Sequence, residues 1–212
     1  LITSIEQLKR VFTYLNPEQH AAMLIAMQNQ LPGLITSADD LFWILMGRKL
    51  EQRTALLSAV QNQLPKLITK AEVINMLLSL FSLRLNPDSS RPHMVAYDII
   101  LDAIADQLPS LIKSAKQLAD LLSYLSQEKQ AMVLKALQSQ LPNLIANTGD
   151  LSTALRYLGV KERAWLLTAT QKQLPALITN AGELSCVLNP LSPDQRTALF
   201  EQFQEQLPAW VT

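Results

Sequence analysis

Cysteine occurs once, at Cys186, and histidine twice, at His20 and His93, in a chain of 212 residues. One thiol excludes an internal disulfide and a cysteine-rich zinc site, and two imidazoles leave a metal centre short of ligands. Neither a metal nor a cofactor is expected. Glycine is scarce, with five residues, and no glycine-rich phosphate loop, HExxH pair or nucleophile elbow is present. An excess of charge is also lacking. Eighteen basic residues balance eighteen acidic ones, so no global field draws the chain to phosphate backbones or anionic lipid, and nucleic acid is not the expected partner. No apolar run approaches the roughly 18 residues of a membrane span, and neither end resembles a signal peptide. A soluble, non-enzymatic protein is expected. The chain begins at Leu1, already inside a repeating pattern, which suggests a segment of a longer protein whose native targeting signals are not readable from it.

What the sequence has is a period. Leu-Pro recurs at Leu31, Leu64, Leu108, Leu141, Leu174 and Leu207, each preceded by glutamine (Gln30, Gln63, Gln107, Gln140, Gln173, Gln206). Leu-Ile follows one residue after the proline at Leu34, Leu67, Leu111, Leu144 and Leu177, with Trp210-Val211 in the last copy. Four intervals are 33 residues and one is 44, so one repeat carries an 11-residue insertion. The repeats run 1–33, 34–66, 67–110, 111–143, 144–176 and 177–209. Periods of this length signal stacked supersecondary units. The fold expected is an all-α α-solenoid of six helix-loop-helix repeats, the third with the insertion, forming one helical-repeat domain over 1–212.

Each repeat opens on a capping box: Ser4, Ser37, Ser114, Asn147 and Asn180 precede Gln7, Asp40, Gln117, Asp150 and Glu183 by three residues. In the third repeat Thr69 and Glu72 are expected to take these roles one residue early. Leu8, Val11, Phe12 and Leu15, like Leu118, Leu121, Leu122 and Leu125, then make one apolar helical stripe. The second helix opens at Asn16-Pro17 and Ser192-Pro193, a capping residue before proline. Its stripe is Met23, Leu24, Met27 and Leu31, repeated as Leu56, Leu57, Val60 and Leu64. Proline disfavours helical geometry at the leucine before it, so the second helix should end near the glutamine, with Leu-Pro-x-Leu-Ile as a buried connector. A lone hairpin cannot bury both faces, whereas stacking makes stability a nearest-neighbour property.

Residues common to all repeats encode the fold, and binding is sought where repeats differ. The recurrent glutamine is read as a partner for carbonyls freed by proline. Arg53, Arg163 and Arg196, beside Glu51, Glu162 and Asp194, read as a solvated, salt-bridged face. Tyr14, Tyr124 and Tyr157 share one position and read as packing residues with wet hydroxyls. Trp165, where other repeats carry Ala22, Ala55 and Ala198, reads as an inter-repeat filler. Phe42 and Trp43 lie outside the stripe of Leu41, Ile44 and Leu45. Two readings of Trp43 stand: an exposed anchor for a partner, or a side chain packed between repeats. Met76, beside Asn75 in the next repeat, extends the same patch. The insertion over 83–93, with two prolines and a polar centre, is expected to be a surface loop, giving Asn86, Asp88, Arg91 and His93 as second contacts. His93 with Asp98 and Asp102 has no nucleophile beside it, so catalysis is not expected there.

The period invites comparison with ankyrin and tetratricopeptide arrays, but neither signature is present. Leu-Ile-Thr-Ser-Ala-Asp-Asp-Leu over 34–41, Glu-Gln-Arg-Thr-Ala-Leu-Leu over 51–57 and Leu-Ser-Pro-Asp-Gln-Arg-Thr-Ala-Leu-Phe over 191–200 resemble helical repeat regions of large effectors secreted by Legionella-type intracellular bacteria. That resemblance implies delivery into a host cell and engagement of a host protein, and carries no functional residue with it. The expected function is a protein-interaction scaffold binding through the exposed face of stacked repeats. The alternatives are a nucleic-acid reader of one base per repeat and a docking or spacer region of a larger enzyme.

Overall fold

The structure is a computed structural model that describes residues 2–82 and 90–210. Among these, all regular structure is helical, and helices stack with repeat-like packing. Two compact units are distinguished, residues 1–105 and 106–212. The first contains α1 (Ile5–Phe12), α2 (Pro17–Ala26), α3 (Leu31–Leu34), α4 (Ala38–Leu45), α5 (Leu50–Ala59), α6 (Leu64–Leu67), α7 (Ala71–Leu80) and α8 (Ser90–Ile104). The second contains α9 (Leu108–Leu111), α10 (Ala115–Leu122), α11 (Gln127–Ala136), α12 (Leu141–Leu144), α13 (Thr148–Arg156), α14 (Val160–Thr170), α15 (Leu174–Leu177), α16 (Ala181–Leu188), α17 (Pro193–Phe203) and α18 (Leu207–Trp210).

First helices begin where the capping boxes place them. The hydroxyl of Ser4, Ser37 and Ser114 and the amide oxygen of Asn147 and Asn180 each accept from the backbone N–H three residues on. The third residue of the helix reaches back in turn: Gln7, Asp40, Gln117, Asp150 and Glu183 accept from the N–H of Thr3, Thr36, Lys113, Ala146 and Thr179. This N–H lies one residue before the N-cap, so two free donors are met per helix start. The third repeat departs from its expectation. Helix α7 keeps the common register with Lys70 as N-cap and no side-chain cap bond, and Thr69 stands outside the helix. Burial of Ala71, Ile74, Leu77 and Leu78 holds that register against the pull of the better capping residue.

The Leu-Pro segments also differ from expectation. Second helices end at Ala26, Ala59, Ala136, Thr170 and Phe203, before the glutamine, and Leu-Pro-x-Leu forms a separate single helical turn. Leu64 adopts φ −50°, ψ −41°, a right-handed helical conformation in spite of the following proline. Proline at the second position of a new turn forfeits an N–H that has no intrahelical acceptor anyway. Burial offsets the steric cost at the leucine: Leu31, Leu64, Leu108, Leu141 and Leu174 are at most 1% exposed. Ile35 (φ −86°, ψ 106°), Ile68, Ile112 and Ile178, which follow such turns, are extended and lead toward the next N-cap.

Within the second unit α10 packs on α13 and α13 on α16, while α11 packs on α14. Within the first, α4 packs on α7 and α5 on α8. Like therefore meets like across consecutive sequence repeats, and the core is a series of leucine-rich seams. Leu118, Leu121, Leu122, Leu151 and Leu155 are fully buried in one such seam, and Leu57, Leu64, Ile100 and Ile104 in another. Repeat 2 turns differently between its helices. Met46 is extended and Gly47 takes φ +74°, in the left-handed region that glycine tolerates best, at the position that Tyr14, Tyr124 and Tyr157 hold elsewhere.

The insertion is not a loop throughout. Residues 83–89, including Asn86 and Asp88, lie outside the described residues, but 90–93 form the first turn of α8. Pro92 falls within that first turn, where the N–H it lacks would have no helical acceptor. The proline read as a loop signal is thus compatible with a helix start.

Candidate functional site

The recurrent polar residues are bound into the backbone. The twentieth position of the five repeats without the insertion, near the start of the second helix, holds His20, Arg53, Gln130, Arg163 and Arg196. His20 Nε2 lies 2.6 Å from the carbonyl oxygen of Phe12, so the neutral ring carries its proton there, and Nδ1 accepts from Arg48 Nη1 at 3.1 Å. Arg163 Nε donates to Leu155 O at 2.9 Å, and Arg196 Nε to Leu188 O at 3.0 Å. Gln130, buried, donates to Leu122 O, Leu125 O and Tyr157 O, and accepts from Gly159 N. Arg53 donates to Leu80 O in the next repeat. Each of these side chains donates to a carbonyl at the end of a first helix, as a second bond for those of Phe12, Leu122, Leu155 and Leu188, which also accept the backbone N–H three residues on.

The salt-bridged face expected of Arg53, Arg163 and Arg196 is therefore corrected. Among the described residues they form no ion pair with Glu51, Glu162 or Asp194; each guanidinium donates instead to a carbonyl at a helix end. Burial lowers the pKa of Arg53 and of Arg48 below the ordinary arginine value. Glutamine before Leu-Pro behaves similarly but reaches farther than expected. Gln63 donates to Pro32 O and Gln173 to Pro142 O, the latter at 3.1 Å, each 31 residues back in the preceding repeat.

The aromatic patch is a compact cluster in the first unit. Phe12 stacks on His20 (centroids 4.4 Å apart) and on Trp43 (5.6 Å, planes 27° apart). Lys9 Nζ stands 5.7 Å from the Trp43 ring and the Arg48 guanidinium 5.2 Å from that of Phe12, within cation–π range. Lys9 also pairs with Glu6 at 2.8 Å and with Asp40 at 3.3 Å. Trp43 thus packs across from α4 onto α1, with part of its surface left in solvent. Phe42 and Met76 are half-buried on α4 and α7. Arg91 and His93 lie in the first turn of α8.

Asp40 carries a pH prediction. Burial pushes its carboxyl up, but hydrogen bonds from Ser37, Thr36 and Lys9 outweigh that and hold its pKa below the ordinary 3.8. A depressed native pKa gives stability that is fully present above the unfolded value and lost as pH falls through the native one. Thermal melts should therefore show an acid-side loss below about pH 4 that is diminished in Asp40→Asn. Equal acid sensitivity in the two proteins contradicts the assignment.

Exposed apolar side chains complete the surface. Tyr14 is 89% exposed and Tyr157 43%, while Tyr124 is half-buried, so the shared tyrosine position is not uniformly a packing site. Met46 after α4 and Val160 at the start of α14 are exposed, and Ile25 stands 67% exposed on α2.

Between α2 and α5 lies a groove of about 240 Å³ lined by Leu24, Ile25, Gln28, Glu51, Gln52, Ala55 and Leu56. A groove of about 230 Å³ occurs between α14 and α17, where Leu167, Thr168, Gln171, Gln195, Ala198 and Leu199 occupy the same repeat positions. Ala55 and Ala198 correspond to each other, and Trp165 holds that position in repeat 5. The notable variable of these grooves, the size of one residue on each second helix, was legible in the sequence; the grooves themselves were not, since they arise only on stacking. Among the described residues no group of His, Cys, Asp and Glu could hold a metal ion, and no helix is long and apolar enough to cross a membrane.

Scans against protein-family models, curated proteins and solved structures returned no match.

Proposed function

We propose that this chain is a non-enzymatic protein-interaction scaffold, an α-solenoid of six helix-pair repeats. The observation that carries the reading is the fate of the recurrent polar side chains. Glutamine and arginine residues that would suit a chemical site instead hold helix-end carbonyls, as Gln130 and Arg163 do. Surface chemistry then rests on residues that vary between repeats, chiefly apolar and aromatic ones, the type enriched at binding hot spots. Phe42, Trp43 and Met76 are the proposed contacts on the first helices, with Asn86, Asp88, Arg91 and His93 as a second contact. The resemblance to secreted effectors points to a host protein as the partner.

Photo-crosslinking from position 42 in host-cell extract tests this. Discrete protein adducts that persist in high salt and disappear with Trp43→Ala are expected. Adducts to nucleic acid whose yield falls steeply with salt would contradict it, because phosphate contacts impose that dependence.

A further inference from the structure

The geometry points to the α2–α5 groove as a seat for a short amphipathic helix of a protein partner, with apolar side chains along one face and a lysine or arginine at one end. This inference rests on the scaffold reading and names the partner's recognition element. Along α5 the groove continues from Glu51 to Ala59, where Gln28, Asn29, Pro32, Ala55, Ser58 and Ala59 line the adjoining depression. That is about 12 Å, or two helical turns. A cavity of about 240 Å³ is smaller than the usual small-molecule pocket, but a ridge of side chains spaced i, i+3, i+4 and i+7 enters such a trough by the helix-in-groove mode. Ile25 at the lip is 67% exposed, an apolar group left in water.

Charge selects the occupant. Glu18 and Glu51 are exposed in the first turns of α2 and α5, and Glu51 lines the groove. The cationic or potentially cationic groups two residues further along both helices are engaged elsewhere: His20 with Phe12 O and Arg48, Arg53 with Leu80 O. Lys49, the N-cap of α5, makes no ion pair with either glutamate. Glu51 is the one charged side chain in the lining of the groove, and it is acidic. In the corresponding groove at Ala198, Asp194 holds the repeat position of Glu51 but lies outside the lining, so the first should favour a basic end more strongly than the second.

A synthetic 14-residue helix with leucines at i, i+3, i+4 and i+7 and two lysines at one end serves as the probe, read by fluorescence anisotropy on the whole chain. Binding to the unaltered protein is expected, as is a weaker affinity for the same peptide ending in glutamates. Ala55→Trp, which places in repeat 2 the residue repeat 5 carries, should lower affinity by about tenfold or more. Glu51→Gln should lower it by about threefold and flatten its salt dependence, and Ala198→Trp should leave it unchanged. Should Ala55→Trp lose its helical signal, Ile25→Lys at the exposed lip decides, with the same loss expected. No binding by the unaltered protein, or binding indifferent to Ala55→Trp and Ile25→Lys, overturns the assignment. A chain that sediments as a dimer and becomes monomeric with Ile25→Lys also overturns it, since the occupant is then a second copy. Any of these leaves the crosslinks from position 42 to decide the scaffold reading separately.

Discussion

Replacing Gln130 with alanine is expected to lower stability by about 3 kcal/mol or more, one of the largest effects of any polar substitution in the chain. The carbonyls of Leu122, Leu125 and Tyr157 and the N–H of Gly159 each lose a bond at once, Leu122 O keeping only the N–H of Leu125. Gln130 is only 4% exposed, so water does not readily replace it, and a buried group without a partner costs about 1–3 kcal/mol. The bonds also cross from repeat 4 to repeat 5, so loss of the side chain unties two helix ends on either side of a seam. Glu128→Ala, two residues away and exposed, should change stability by no more than about 0.5 kcal/mol. Urea unfolding of the two variants measures the difference. A Gln130→Ala protein as stable as Glu128→Ala would show that the capping ladder contributes nothing.

The second large effect lies in the Leu-Pro turn. Leu141 is fully buried and Pro142 is exposed, although the proline is the more conspicuous residue in the sequence. Leu141→Ala should cost about 3 kcal/mol, within the usual range for a buried leucine. Pro142→Ala should cost about 1 kcal/mol or less, mainly through a freer unfolded chain. The carbonyl that accepts from Gln173 is retained in that variant. The reverse order in chemical denaturation would mean that the turn stiffens the chain rather than filling the seam.

These two residues show what was legible in sequence and what was not. The period was readable because the same landmarks recur along the chain, and the capping boxes because each depends on residues within one turn of each other, as with Ser114 and Gln117. The recurrence of leucine at positions such as Leu141 marked the core correctly. Contacts between repeats were not readable. Gln130 with Tyr157 and Gln173 with Pro142 join residues 27 and 31 apart, a separation that acquires meaning only once the stacking register exists. Arg163 looked like a surface charge for a different reason: its acceptor, Leu155 O, lies within the same repeat but eight residues back near the end of the preceding helix, and comes within reach only once the two helices pair. Local rules also misjudged the two prolines discussed above: Pro65 follows a helical leucine, and Pro92 sits inside the first turn of α8. In both places the proline occupies a helix start, where its missing N–H is harmless. Trp43 is a different case. Its sequence neighbours fix the side of α4 it occupies, but not that Phe12, 31 residues earlier, supplies the ring on which it stacks.

If seams between consecutive repeats hold the chain together, damage at one seam should spread by neighbour rather than evenly. Native-state hydrogen exchange on Gln130→Ala is the direct measurement, read within the second unit. Protection should fall most in α10, α11, α13 and α14, which flank the altered seam, and least in α16 and α17. An equal loss of protection across α10 to α17 would contradict the account, because it would reveal one cooperative core in place of neighbour-to-neighbour seams.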